Sequence, residues 1–374
     1  MGRPGNAGTR DAELILTLIA SGLMRLSAWL GPEDARRPYP LALQQGFDQL
    51  TWACWSAAAD SPTDVGDLVS RWCTRPLAAW PVTWPEGAVG SGDQLVVDGE
   101  PSETCRDWAV SNPDVVSEVL ESAFMREVRS TCRSMGPRGQ VVYVALRRLL
   151  IDSPTLTGLQ QLERRNAFPD LPAWSEWLNS AYEPLTVDHV VEGKVGVCRR
   201  CGHVARHISA GWRCSTPRCR ALPTAPQVTL LPGKGVVKIR RDLSTYISLP
   251  GRPEADLARA LEKRGATVVW WPDVDAYDLL VIWPDGRRWG IDVKDWRTPY
   301  ALALRLRPLP SYPAGHEFAY TEGFVIIPDD RTRKQRNYLT ILRRHSAALR
   351  EQPRTTALSV SQLMDKAAGG TRGA

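Results

Sequence analysis

The stretch YDLLVIWPDGRRWGIDVKDW, residues 277–296, constrains this chain more than any other. Two apolar runs flank Pro284-Asp285-Gly286, which reads as a three-residue hairpin loop: a type I turn, then glycine in the left-handed region. That loop pairs Trp283 with Arg287, and stepping outward by equal numbers of residues sets Asp278 opposite Asp292. Side chains alternate along a strand, so Lys294 shares the face of Asp292. A two-residue loop would instead send the two aspartates to opposite faces. Directly opposed carboxylates, with Cβ atoms about 5 Å apart, repel. Burying them is costly without a partner. A divalent cation resolves the repulsion, because Mg²⁺ (or Mn²⁺ in its place) takes a few carboxylate oxygens and keeps several waters, with room for a phosphate oxygen. Lys294 can then orient a bound water or stabilise charge developing at phosphorus.

A third acid fits the same chemistry. In GRPEADLARALEKRG, Pro253 is expected at the first helical position. Leu257, Ala258 and Leu261 make the buried stripe, and helical spacing puts Glu254 on it. Compensation of the helix dipole alone also explains a glutamate there. For Asp278, Asp292 and Lys294 the alternative is a structural ion-pair cluster.

Cys198-x2-Cys201, then twelve residues, then Cys214-x4-Cys219 gives two short chelating pairs. Four thiolates close a tetrahedral zinc site with no place for water, so this zinc is expected to be structural. A variant with His203 or His207 replacing one cysteine is the lesser alternative. The segment also carries Arg199, Arg200, Arg206, Arg213, Arg218 and Arg220, with Trp212 among them and no acidic residue from 198 to 220. Arg199, Arg200 and Trp212 form a candidate surface for phosphates and base stacking. The bland reading is a solvated basic face.

Residues 1–185 read as a mostly helical scaffold or partner-binding region, with helix starts expected at Asp11, Asp64 and Asp114 and stops at Gly31 and Gly136. One short strand is expected in the loop 81–104. A zinc ribbon over 186–222 and a Pro/Gly-punctuated linker follow. From 236 to 374, helix, three strands, crossover, strand, basic helix at 331–350 and a last strand read as an α/β domain with a mixed central sheet. The chain is thus multidomain. Its net charge of +6 permits a nucleic-acid partner without demanding one. Four further cysteines, Cys54, Cys73, Cys105 and Cys132, are scattered in a chain with no apolar run long enough for a membrane span, and are expected to be reduced thiols in the cytoplasm.

Glu254, Asp278 and Asp292-Val293-Lys294 resemble the pattern of the PD-(D/E)xK, or restriction-endonuclease-like, superfamily over about 236–365. Tyr277 stands where the proline that names the motif would be. LPGRPE, DAYDLLV and DVKDW are similar, more narrowly, to the endonuclease-like proteins associated with pPIWI-RE, a prokaryotic Piwi-like family. The resemblance implies that Asp278, Asp292 and the Val293 carbonyl hold the metal, that Glu254 assists through water, and that Lys294 is the catalytic lysine. Gln335, with Tyr338 one turn on, is a candidate for positioning substrate. Arg333, Lys334 and Arg336 lie on a helix that reads as phosphate-contacting. The implied activity is cleavage of DNA, with an RNA–DNA hybrid also compatible, beside a Piwi-like protein and a helicase, in a defence setting. A homodimer is compatible with the reading. The alternative is a non-catalytic subunit that binds nucleic acid or recruits a Piwi-like partner through the helices and the ribbon.

Overall fold

Apolar residues at helical spacing bury one stripe of each N-terminal helix. In α1 (Ala7–Ala28) these are Ile15, Leu16, Ile19 and Leu23; in α2 (Leu41–Ser56) they are Leu43, Leu50 and Cys54. The two helices meet at glycines. A Cβ on Gly22 would stand 2.4 Å from that of Leu43, so a side chain there would force the backbones apart. The computed structural model describes residues 7–28, 38–109, 123–209, 211–220 and 227–370. The helix containing Asp11 begins at Ala7, so Asp11 is not its start: the turn before it already continues the helical pattern. Asp64 does cap, accepting from Asp67 N at 2.8 Å. The expected start at Asp114 and stop at Gly31 lie outside the described residues. The loop 81–104 holds two short strands rather than one, Val96–Val97 and Glu100–Pro101, paired with each other ahead of α3 (Glu103–Ala109).

The chain forms two compact units, one of Met1–Leu120 with Val281–Ala374 and one of Glu121–Leu280. In the second unit, α4 (Ala123–Ser134) and α5 (Pro137–Asp152) are separated at Gly136, whose φ of +60° stops the first of them. Strands Thr155–Leu156, Tyr182–Pro184 and Val237–Ile239 make a small sheet with the last in the middle. The cysteine segment follows as β1 (Val190–Val191), β2 (Lys194–Cys198), β3 (Ala205–Ile208), β4 (Gly211–Cys214) and β5 (Val228–Pro232). β5 corrects the linker reading. Its residues pair antiparallel with β2 along the whole of both strands, from Lys194↔Pro232 to Cys198↔Val228. Punctuation by Pro and Gly framed a strand there.

α6 (Leu249–Glu262) corrects the placement of Pro253, which lies inside the helix and not at its first position. Residues 241–248 are already helical, so the chain enters α6 from a preceding turn and Pro250 occupies the early site. β6 (Thr267–Trp270) comes next and neighbours the start of β7 (Leu279–Ile282), a strand that begins in the second unit and ends in the first.

In the first unit the end of β7 turns into β8 (Arg288–Val293), and β9 (Glu322–Ile327) and β10 (Thr355–Ser359) run parallel to it, with Ile291, Phe324 and Thr356 in register. A hairpin followed by parallel strands makes the sheet mixed. α7 (Pro299–Arg305) provides the crossover from β8 to β9. The basic segment is not one helix but three, α8 (Asp329–Lys334), α9 (Tyr338–His345) and α10 (Ala347–Glu351), broken where Gln335 and Ser346 take extended conformations. α11 (Val360–Gly370) is the last described element of the first unit. Leu302, Val325, Ile327, Tyr338, Leu342 and Ala357 form its core.

Charge is buried in this unit with partners supplied. Arg331 forks onto Glu103 at 2.8 and 2.9 Å and reaches Asp295 at 2.8 Å. Burial works against the Glu103 charge, but Arg331 outweighs it and holds the carboxyl at about 2. Asp107 goes the other way. Burial pushes its carboxyl up to about 7 although the Thr298 amide donates to it at 2.8 Å.

A carboxyl whose folded pKa exceeds its ordinary value of 3.8 stabilises the fold while protonated and loses that contribution as pH rises through about 7. Asp107→Asn, which stays neutral, is therefore expected to gain on the wild type as pH rises from 5 to 8. The difference in melting temperature should widen by at least about 2 °C, read by thermal melts across that range. A constant difference would show that Asp107 ionises normally.

Candidate active site

The hairpin has a three-residue loop. Trp283 N donates to Arg287 O at 2.9 Å, Gly286 N donates to Trp283 O at 3.0 Å, and Gly286 has φ +85°. At the far end of β8, Lys294 Nζ donates to Asp292 Oδ1 at 2.6 Å. Both side chains are partly open to solvent. Lys294 lies one residue past the strand, yet its amide still donates to Ile326 O at 2.8 Å, so the backbone there is held by the ladder. Val293 between them is buried. Gly290 precedes Asp292 on the same face. A Cβ there would come within 2.5 Å of the Tyr320 ring, so the ring lies directly against the strand. Burial and then the Asp292 charge push the Tyr320 phenol up. Sequence reasoning missed Tyr320, and the available signal was a glycine in the middle of an apolar strand.

Glu254 and Asp278 belong to the second unit, and both are buried. Asp278 immediately precedes β7, and its carbonyl accepts from Trp271 N at 2.8 Å. Glu254 lies on α6 and accepts from the Trp271 indole at 2.7 Å and from Arg147 Nη2 at 3.2 and 3.3 Å. Arg147, from α5, also pairs with Asp275, is buried, and sits over the Trp271 ring at 4.5 Å. Burial works against its charge, but Asp275, Glu254 and, further off, Asp278 hold the guanidinium well above its usual range. The sequence reading missed Arg147. Its signal was an arginine on the apolar stripe of α5, four residues after the buried Tyr143.

Between β6 and Asp278 the backbone is strained. Trp271, Asp273, Val274 and Asp275 have φ of 42°, 53°, 52° and 80°, and none is glycine. Helices α4 and α5 hold the turn. Gln140 donates to Trp270 O at 2.8 Å and Trp271 O at 3.0 Å, and accepts from Val274 N at 2.8 Å. Arg129 reaches Asp275 and Arg133 reaches Val274 O, both at 3.3 Å.

The four cysteines of the ribbon segment converge. Their Sγ atoms all lie within 4.8 Å of one another, and all four residues are buried. Metal–sulfur bonds of about 2.3 Å place tetrahedral sulfurs about 3.8 Å apart, so the cage fits a thiophilic ion. Neighbouring Cys214 and Cys219 push the Cys201 thiol up, while Cys201 and Cys214 pull that of Cys219 down. Four thiols this close cannot all ionise without a cation. His203 is committed elsewhere: Nδ1 lies 3.0 Å from Cys201 O and Nε2 2.8 Å from Ser244 Oγ. Burial pulls its pKa to about 4, so it stays neutral. Arg252 on α6 donates to the carbonyls of Cys201 at 2.8 Å and Arg200 at 2.6 Å, and Thr155 donates to Gly202 O at 2.8 Å.

Arg199 and Arg200 are exposed, as are Arg333, Lys334 and Arg336 on and just after α8. Three other expectations are corrected. Trp212 is half-buried, because its indole covers Gly196 and meets His207 edge-on at 5.1 Å. Tyr338 is fully buried with its hydroxyl donating to Trp296 O at 2.9 Å, so it faces the core and no substrate. Arg331 is spent on Glu103 and Asp295, which takes it out of any phosphate-binding row.

Residues 15–157 match the family model described as pPIWI_RE three-gene island domain Y. Residues 251–373 match the one described as REase associating with pPIWI_RE. No curated protein and no solved structure matches the chain.

The thiol cage is expected to hold one thiophilic divalent ion per chain, measured by elemental analysis and by release to a colorimetric chelator. Cys201→Ser and Cys219→Ser should each purify with none. Metal-free wild type with all four thiols open to alkylation would show that the cage binds nothing.

Proposed function

We propose that this chain, which resembles the endonuclease-like proteins associated with pPIWI-RE, is a metal-dependent endonuclease acting on DNA in a defence island, in the cytoplasm. The observation that carries the reading is Asp292 and Lys294 at 2.6 Å on one face at the end of β8, behind a three-residue turn. Strand alternation counted in the sequence from a three-residue loop predicts that Asp278 pairs with Asp292. Asp278, Asp292 and the Val293 carbonyl supply hard oxygen donors of the kind Mg²⁺ or Mn²⁺ takes, and Glu254 assists through water. The cation would lower the pKa of a water and neutralise charge on the scissile phosphate. Lys294 holds that water or the phosphate oxygen by an ammonium N–H, and Asp292 keeps the ammonium aimed until substrate arrives. The ion of the cysteine cage is zinc in this reading, structural because four thiolates leave no open position.

Arg199 and Arg200, with Arg333, Lys334 and Arg336, supply the non-specific grip on the nucleic-acid backbone. Trp52 and Trp55 on α2 favour a second role in assembly. They are 63% and 71% exposed, with ring centroids 5.2 Å apart. Two neighbouring exposed tryptophans are an unusual surface feature in a chain that buries most of its others, and they suit a partner such as the Piwi-like protein or the helicase.

The test is cleavage of duplex DNA, single strands and RNA–DNA hybrid with Mg²⁺ or Mn²⁺. Wild type should cut, and Asp278→Ala and Asp292→Ala should not, with the fold retained. Lys294→Ala should lose at least about 10²-fold in rate, in line with removal of one transition-state donor, while still binding Mn²⁺. Equal cutting by the lysine variant, or no cutting by the wild type with its island partners present, would falsify the nuclease assignment and leave the assembly role.

A further inference from the structure

We propose that Arg147, from the region matching domain Y, is a positioning residue for the nuclease site; this rests on the nuclease reading above. Three observations converge on it. The guanidinium bonds Glu254 through Nη2 and Asp275 through Nη1, and it lies over the Trp271 ring, whose indole in turn holds Glu254. Trp271 N also carries the Asp278 carbonyl, so one buried cation orients the helix-borne acid and the segment that delivers the first strand-borne acid.

The second observation is what the fold gives up to keep the cation there. Arg147 Nε is buried with no hydrogen-bond partner among the described residues, which carries the desolvation penalty of an unmade bond. A side chain chosen for stability alone would satisfy that donor. The third is the left-handed run from Trp271 to Asp275. Each such residue is strained, and such strain persists only where surrounding structure over-determines it. Gln140, Arg129, Arg133 and Arg147, all on α4 and α5, do so here. Helices outside the REase match thus set the geometry of residues inside it. Arg147 is placed against Glu254 and the turn before Asp278 and not against a substrate or reacting atom, so it acts through those two acids.

The experiment uses the full chain. Arg147→Lys keeps the charge and loses the fork, and Gln140→Ala loosens the turn without touching any charge. Both are checked for wild-type circular dichroism and cysteine-bound metal, then assayed in two ways. Mn²⁺ binding, followed by electron paramagnetic resonance, should weaken by about 10-fold or more. Single-turnover cleavage should slow by about 10²-fold with KM for duplex DNA within about two-fold, the pattern expected from sub-ångström misplacement of ligands. Guanidinium added to Arg147→Ala should restore part of the Mn²⁺ affinity and rate. If Arg147→Lys does not fold, Gln140→Ala decides alone. Folded variants with wild-type Mn²⁺ affinity and rate would overturn the positioning role while the nuclease reading stands. A wild type that neither binds Mn²⁺ nor cuts would overturn both.

Discussion

A buried guanidinium ringed by carboxylates is the interaction on which the second unit depends. Glu254 and Asp275 could not share a water-poor site with Asp278 nearby unless a cation offset them, and Arg147 is that cation. Arginine suits the place better than lysine, because its planar fork serves two acids at once and its face stacks on Trp271. Breaking one partner of such a pair leaves an uncompensated charge, which generally costs about 3–5 kcal/mol. The first unit uses the same device. Arg331 ties Asp295, one residue past Lys294, to Glu103 on an N-terminal helix. In each unit a segment of the REase match is therefore fastened by an arginine to a segment of the domain Y match.

The motif LPGRPE gains a physical meaning from this. Gly251 lets α6 approach α5 closely, since a Cβ there would stand 2.3 Å from Ile151 Cδ1. Arg252 grips the two backbone carbonyls of the cysteine knuckle, and Glu254 takes Arg147. Three neighbouring positions thus address two parts of the second unit, α5 and the cysteine knuckle. The knuckle is then more than an appendage: the cage that closes its cysteines also fixes the carbonyls that hold the first turns of α6.

Much of this was legible in the residues. Pro-Asp-Gly selected the loop, because only glycine accepts its third position cheaply, and the face shared by Asp292 and Lys294 follows from strand alternation. Cysteine spacing found the cage, since chelation needs side chains near in sequence. What stayed hidden depends on distant partners. Nothing local marks Arg331 as core rather than surface, and a run of basic residues reads as one exposed helix until Gln335 breaks it. Pro and Gly around residues 228–232 read as a linker, because pairing with β2 is invisible in the segment itself. Arg147 and the left-handed run from Trp271 to Asp275 are hidden for the same reason, as each is stabilised by residues more than a hundred positions away.

That run has a consequence for the order in which the protein is made. The chain emerges from the ribosome N-terminus first, so α4 and α5 exist long before Trp271 to Asp275 are synthesised. A turn with β-branched Val274 at positive φ has no tendency to form alone. It is moulded on a surface already waiting, and cannot nucleate folding. Substitutions in it should accelerate unfolding far more than they slow folding. The acids that depend on it are accordingly expected to reach their places only after α4 and α5 have formed.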